Sequence, residues 1–194
     1  LKVAPFVRPP HFAVLGGMDF GWDHPTAAVA IWWDRDQDKV YLVNSYRVSK
    51  QTPMVHAAAL KVWGDLSWVW PHDGLQHDKG SGQQLAKLYR DQGMDMRPEP
   101  VHFEDGSMSV EAGLLLMYER MQTGRFKVFA GCNDWFEEFR LYHRKDGQVV
   151  KLQDDLMAAT RYAIMGLRFA KLPADPRLAR LPKSPDKAFD PFSW

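Results

Sequence analysis

The fold is decided by the stretch HFAVLGGMDFGWDHPTAAVAIWWDRDQDKVYLVNSYRV, residues 11–48. It contains three apolar runs that are separated only by short polar or glycine-containing turns. Consecutive strands joined by tight turns favour antiparallel pairing, so the stretch predicts a three-stranded meander. The first run ends in Gly17-Met18-Asp19, which indicates a buried strand with an acidic residue at its end.

Helical and strand patterns alternate after the meander. Apolar spacing predicts helices over 53–65, 82–93, 107–122, 134–142 and 154–171, with Ser109 and Asn133-Asp134 as caps, and strands over 66–71, 94–103 and 125–130. This order predicts an α/β fold: a mixed sheet with an antiparallel meander of strands one to three plus parallel strands, flanked by helices. Ribonuclease-H-like domains have this order of elements, an analogy of fold that gives no function by itself.

Composition narrows the class of protein. A chain of 194 residues with 45% hydrophobic residues predicts one folded domain rather than a disordered chain. The single cysteine, Cys132, excludes an internal disulfide and a thiolate zinc cluster, which fits a reducing cytoplasm. No apolar run approaches the roughly 20 residues of a membrane-spanning helix, so we expect no membrane partner. The net charge of +1 neither indicates nor excludes a nucleic-acid partner.

Acidic residues stand at the ends of three predicted elements. Asp19 ends the first strand, Asp73 follows the fourth, and Asp154-Asp155 opens the last helix. Strands one and four are neighbours in a ribonuclease-H-like sheet, so their acids would project from the same edge. Crowded carboxylates raise one another's pKa, and divalent cations relieve that repulsion. The pattern therefore predicts a site for two Mg²⁺ or Mn²⁺ ions, the arrangement that hydrolyses phosphodiesters.

Each of these acids also has an ordinary structural explanation. Asp19 and Asp73 stand beside glycine-containing turns, where aspartate commonly caps the turn. Asp154 at a helix start is by default an N-cap, with Asp155 favoured by the helix dipole. The metal-site interpretation rests on all of them falling at element ends that one fold brings together.

The sequence resembles a known family over residues 14–170. The strings that carry the resemblance are GMDFGWDHPTAAV (17–29), VWPHDG (69–74) with QHDKGSGQQLAKLYRDQG (76–93), SMSVEAGLLLMYERMQTGRFKVF (107–129) and KLQDDLMAATRYAIM (151–165). They are similar to the C-terminal nuclease domain of the large terminase subunit of tailed bacteriophages. The resemblance implies that Asp19 bridges two metal ions, that Asp73 binds one, and that Asp154 or Asp155 binds the other. The spacing to Arg161-Tyr162 favours Asp154 as the inner ligand.

The resemblance also implies a biological setting and a domain organisation. Such a domain cuts concatemeric double-stranded DNA in the host cytoplasm, with the small terminase subunit, the portal and an ATPase domain of the same full-length chain as partners. No phosphate-binding GxxxxGK[ST] loop of an ATPase occurs here. We therefore predict a linker from a missing N-terminal ATPase domain at 1–11, the nuclease domain at 12–172 and a proline-rich tail at 173–194. Ala158 departs from the family pattern, which commonly has an acid there.

Weaker candidates surround the acids. Asp23, His24 and His72 could support a metal ligand or move a proton, against an ordinary role as turn and loop residues. Basic side chains that could contact a DNA backbone are Lys79, Arg140, His143, Arg144 and Lys145, with a solvated loop or hairpin tip as the equal alternative. The tryptophans at 32, 33, 68 and 70 are predicted in the core and on sheet faces, and Cys132 is predicted to have no catalytic role.

Two rival functions stay open at this point. A Holliday-junction resolvase or transposase-like enzyme would use the same acids on a different DNA shape. A non-catalytic interaction module would keep the fold without metals, and Ala158 is the residue that favours it.

Overall fold

The computed structural model describes residues 1–75, 84–142, 144–145, 148–149 and 154–173, with the backbone alone at 144–145 and 148–149. Its strands are β1 (Lys2–Val3), β2 (Ala13–Asp19), β3 (Thr26–Asp34), β4 (Lys39–Val48), β5 (Ser67–Val69), β6 (Asp95–Met96), β7 (Phe126–Phe129), β8 (Arg144–Lys145) and β9 (Gln148–Val149). Its α-helices are α1 (Pro53–Lys61), α2 (Leu85–Asp91), α3 (Val110–Gln122), α4 (Asn133–Leu141) and α5 (Asp155–Met165). Short 3₁₀ helices cover His72–Leu75 and Leu167–Phe169.

The main sheet is mixed and has seven strands in the order β1-β7-β4-β3-β2-β5-β6. β2, β3 and β4 pair antiparallel, whereas β5, β6, β7 and β1 join by parallel pairing. The predicted mixed sheet, with a meander followed by parallel strands, is therefore confirmed. The meander register places Asp19 opposite Ala27 and Ala27 opposite Arg47.

Helix α5 packs directly on the central strand β2. A Cβ atom on Gly17 would lie 2.5 Å from the carbonyl oxygen of Ala159 and 2.8 Å from the Cβ of Ala163. Glycine is therefore needed at position 17 for this close approach. Around the contact, Leu15, Leu156 and Ile164 are fully buried, so the helix closes the core over the sheet.

The tryptophans divide between the core and the sheet faces, as predicted. Trp68 and Trp70 are buried, and the indole Nε1 of Trp70 donates to the carbonyl of Arg97 at 2.8 Å. Trp32 and Trp33 are half-buried against the core. Cys132 is buried and free.

The amino-terminal segment, predicted as a linker, contains a short strand. Lys2–Val3 forms β1, the edge strand of the sheet, which pairs parallel to β7. Phe6 then packs edge-on against Trp32, Tyr41 and Phe129. The segment joins the sheet because β7 presents free backbone groups on that side and the aromatic cluster gives Phe6 a place to pack.

Several predicted boundaries are also wrong. The last helix ends at Met165 instead of 171, where Gly166 forms its C-cap and the chain continues as a 3₁₀ helix. The helix predicted over 53–65 ends at Lys61, before Gly64 with φ +99°. Ser109 caps α3 as predicted, but α4 begins at Asn133 with Cys132 in the cap position. The strand predicted over 94–103 covers only Asp95–Met96, because its two prolines cannot donate to the sheet.

Two further observations complete the fold. Among the described helices, none has the length and apolar character to cross a membrane. Most of the tail predicted over 173–194 lies outside the described residues, as do residues 82 and 83 of the helix predicted over 82–93.

Candidate metal centre

The sheet and α5 bring the predicted acidic residues to one place. Asp19 is the last residue of β2, and Asp73 lies in the 3₁₀ helix that follows the parallel neighbour β5. Parallel strands end at the same edge of a sheet, so these two acids come together. Asp154 and Asp155 stand at the start of α5, which packs on β2.

The charge environment of Asp19 shows that the three other acids lie close enough to act on it. The pKa of Asp19 rises from 3.8 to about 8, first because of burial and then because of the charges of Asp73 and Asp155, with Asp154 adding a smaller effect. The positive charge of Arg161 opposes this rise. A cluster this costly to ionise is the kind of site that a divalent cation stabilises.

Asp73 provides the clearest test of whether the site fits a metal. Burial raises its pKa, while the backbone N–H groups of Asp73 and Gly74 and the charge of His72 lower it. Its Oδ1 atom is buried and has no hydrogen-bond partner in the described structure. A buried carboxylate oxygen without a donor is unfavourable, and a hard cation satisfies it. The donor set therefore fits Mg²⁺ or Mn²⁺.

Gly74 lets the chain place Asp73 at this edge. A Cβ on Gly74 would lie 2.5 Å from the ring of Trp70 and 2.6 Å from that of Phe20. The 3₁₀ turn can therefore pack against both rings only with glycine at this position.

The N-cap explanation for Asp154 does not hold, and another residue bonds the turn after Asp19. Asp154 occupies the N-cap position of α5, but its side chain makes no cap hydrogen bond. The turn after Asp19 is held by Thr26, whose Oγ1 accepts from the N–H of Gly21 at 3.2 Å and donates to the carbonyl of Gly21 at 2.8 Å. The Asp154 side chain therefore does not cap α5, and the hydroxyl of Thr26 bonds the backbone of the turn after Asp19.

The predicted supporting residues lie on the exposed rim of the cluster. His24 and Arg47 lower the pKa of Asp155, which burial and the charge of Asp154 raise. His72 acts in the same direction on Asp73. Asp23 is exposed in the loop between β2 and β3.

Sequence reasoning missed the polar residues beneath the acids. Arg161 is only 7% exposed, and its guanidinium carbon lies 4.3 Å from the ring centre of Tyr162. Burial, together with the charges of Asp19 and Asp73, raises the pKa of Tyr162, against the lowering effect of Arg161. Arg161 could have been found from its position among the apolar residues of the last predicted helix. A charged side chain on such a helix is buried only if it has a partner. Glu138 on α4 is fully buried and pairs with Arg47 at 3.1 Å, and no sequence pattern pointed to either residue.

The predicted DNA-contacting residues are placed only in part. Arg140 is exposed near the end of α4. Arg144 and Lys145 lie on β8, which pairs antiparallel with β9, but their side chains lie outside the described residues, as do all of Lys79 and His143. Trp22, which the sequence analysis did not single out, is 58% exposed in the loop between Asp19 and Asp23.

A second acidic group lies at the other end of the sheet. Ligand atoms of His11, Asp34 and Asp36 lie within 4.8 Å of one another. The Oδ1 of Asp34, however, accepts from the N–H groups of Asp36 and Gln37, so it serves the turn between β3 and β4. We attach no function to this group.

Comparison with known proteins gives a consistent result. Residues 16–167 match the family described as the terminase RNaseH-like domain. The chain is 45% identical over 187 residues to the terminase large subunit of Salmonella phage P22, and 46% identical over 167 residues to that of Enterobacteria phage LP7. The aligned regions cover 95% and 85% of this chain but only 38% and 35% of those proteins.

Solved structures agree with the sequence relatives. The nuclease domain of the P22 large terminase superposes with a TM-score of 0.83 at 45% identity, covering 93% of this chain and 92% of that one. The large terminase nuclease domain of bacteriophage SPP1 with bound Mn has the same fold, at a TM-score of 0.58 and 16% identity, with coverage of 87% and 95%. The chain therefore belongs to the terminase RNaseH-like domain family of phage large terminase subunits.

Proposed function

We propose that this chain is a metal-dependent DNA endonuclease domain that cuts concatemeric double-stranded DNA during the packaging of a phage genome. One observation carries the proposal: the charges of Asp73, Asp155 and Asp154 act on Asp19 at the end of β2, and the buried Oδ1 of Asp73 has no donor among the described residues. The 45% identity to the P22 nuclease domain supports the same activity.

The acids would divide the metal ligation between them. Asp19, whose pKa responds to all three other carboxylates, would bridge two Mg²⁺ or Mn²⁺ ions. Asp73 would bind one ion, and Asp154 or Asp155 the other. Divalent ions in such a pair supply Lewis acidity and lower the pKa of water, which is the chemistry that phosphodiester hydrolysis needs. The bound Mn in the SPP1 nuclease domain is in keeping with this assignment.

Residues of the chain itself would hold the acids ready. Arg161 offsets part of the negative charge beside Asp19, and its aliphatic stem packs where a Cβ on Gly113 would lie 2.7 Å away. Tyr162 lies close enough to the acids that the charges of Asp19 and Asp73, after burial, raise its pKa. A buried charge with an opposite charge nearby destabilises a fold less than an isolated buried charge does. Arg161 would therefore help the domain to stay folded when no metal is bound.

The substrate would be recognised through its phosphates. Phosphate contacts position a protein on DNA without reading its sequence, so the isolated domain should cut with little sequence preference. Specificity would come from an ATPase domain in the full-length chain, the small terminase subunit and the portal, in the cytoplasm of the host.

Plasmid cleavage tests the proposal. Supercoiled plasmid is incubated with the chain in EDTA, Mg²⁺ or Mn²⁺, beside Asp73→Asn and, as a matched control, Asp36→Asn from the opposite end of the sheet. We expect nicking and linearisation only with metal, lost in Asp73→Asn and kept in Asp36→Asn. A preference for four-way junctions over linear duplex would indicate a resolvase. The absence of both metal binding and cleavage would indicate an interaction module.

A further inference from the structure

The start of α5 is capped in an unusual way. The first N–H groups of any α-helix have no partner within the helix, and an N-cap side chain normally accepts from the third helical residue. In α3, Ser109 accepts from the N–H of Ala112 at 3.2 Å in this way. In α5 the equivalent donor is the N–H of Met157, and it donates instead to Oε1 of Glu138 at 2.7 Å. A residue of α4 thus performs the task that Asp154 would otherwise perform.

The second oxygen of Glu138 is held as well. Oε2 accepts from the guanidinium of Arg47 on β4 at 3.1 Å, and the Glu138 side chain is fully buried. Arg47 stands in one row across the sheet with Ala27 and Asp19, so its side chain points to the face that α5 covers. The connection from Arg47 through Glu138 to Met157 therefore ties the first turn of α5 to the level of the sheet where Asp19 lies.

We propose that Glu138, held by Arg47, is a positioning residue that caps α5 from outside and thereby leaves the carboxylate of Asp154 available to bind metal. The inference rests on the proposed function, because it concerns a carboxylate that the proposed metal site needs. A capped helix start is fixed in place, because the acceptor satisfies an N–H group that has no partner within the helix. If Asp154 capped the helix itself, its oxygen would be turned toward the backbone and lost to the site.

The test compares four proteins: the unaltered chain, Glu138→Ala, Glu138→Gln and Asp38→Ala. Glu138→Gln keeps a carbonyl oxygen that can accept from Met157. Asp38→Ala is the matched control, since Asp38 also accepts from two arginines, Arg120 and Arg125, but lies at the opposite end of the sheet. Mn²⁺ affinity is measured by calorimetry, and the exchange of the Met157 amide hydrogen is measured by NMR in EDTA.

We expect Glu138→Ala to bind Mn²⁺ about 10–100-fold more weakly, the usual cost of losing a residue that orients metal ligands. Exchange of the Met157 amide should be at least about 10-fold faster, since its hydrogen bond is gone. Glu138→Gln should recover most of both losses. Asp38→Ala should lower the melting temperature without changing the Mn²⁺ affinity or the exchange rate of the Met157 amide. If Glu138→Ala does not fold, Glu138→Leu fills the same space and replaces it.

Two results would overturn the proposal. One is unchanged Mn²⁺ affinity and unchanged Met157 exchange in Glu138→Ala. The other is a loss of Mn²⁺ affinity in Asp38→Ala as large as in the Glu138 variant. If the unaltered chain binds no Mn²⁺, the proposed function fails and the inferred role of Glu138 fails with it, while the exchange data still show whether Glu138 caps α5.

Discussion

Gly17 on β2 lies against the backbone of Ala159 on α5, so closely that a Cβ atom on Gly17 would come within 2.5 Å of the Ala159 carbonyl oxygen. This contact sets the distance between the strand that ends in Asp19 and the helix that begins after Asp154. The separation of the acids thus depends on a residue that carries no chemistry.

Gly17→Ala is expected to lower the free energy of unfolding by about 1–3 kcal/mol, the usual cost of inserting atoms into a packed core. It should also weaken Mn²⁺ binding, because α5 must move away from β2. Urea denaturation and calorimetry measure the two effects. Gly131→Ala is the control, since a Cβ there meets nothing within 4 Å. Equal stability of the two variants would contradict the packing argument.

The pH dependence of stability in EDTA is expected to reflect Asp19. Its folded pKa of about 8 lies above the ordinary value of 3.8, so the folded state holds the proton more tightly than the unfolded state. The contribution of Asp19 is therefore present below about pH 4 and is lost as the pH rises toward 8. Glu138, with a pKa raised to about 7 mainly by burial, acts in the same direction.

Asp19→Asn should flatten this dependence and raise the melting temperature at pH 8 in EDTA. Scanning fluorimetry at pH 5, 6.5 and 8 measures it, with Asp36→Asn as an exposed-acid control. Mn²⁺ should stabilise the unaltered chain at pH 8 but not Asp19→Asn. Parallel pH profiles for the unaltered chain and Asp19→Asn would argue against a buried, protonated Asp19.

Thr160→Val is expected to destabilise the fold by about 1–3 kcal/mol, because it leaves a buried donor unpaired. The indole Nε1 of Trp135 donates to Oγ1 of Thr160 at 2.9 Å, and both side chains are fully buried. This bond joins α4 to α5. Thr123→Val, at an exposed position, should cost less in the same chemical denaturation experiment, and a reversed order would show that the buried bond contributes little.

Ala158→Glu tests the departure from the family pattern. The N–H of Ala158 donates to the carbonyl of Asp154 at 2.8 Å, so a side chain at 158 stands one helical turn after that acid. In EDTA, the added like charge should lower the melting temperature, whereas Mn²⁺ should stabilise the variant more than it stabilises the unaltered chain. Melting temperatures at several Mn²⁺ concentrations measure this difference. An unchanged or smaller Mn²⁺ effect would place position 158 outside the metal site.

The sequence by itself determined the features that depend on short-range patterns. Alternating apolar runs and tight turns predict the meander, a serine before an apolar helix predicts the cap at Ser109, and strand ends predict the positions of Asp19 and Asp73. These features follow from periodicity and local hydrogen bonding, which neighbouring residues alone decide.

Only the tertiary structure decided which groups meet across the chain. Three of these encounters join residues that are distant in the sequence: β1 pairs with β7, Met157 donates to Glu138, and Arg161 lies beside Asp19. A fourth feature arises from burial: the Oδ1 of Asp73 has no hydrogen-bond partner among the described residues. No local pattern encodes them, because the close packing of α5 on β2 creates both the burial and the encounters. The acids were therefore visible in the sequence, while the residues that hold and perturb them became visible only in the fold.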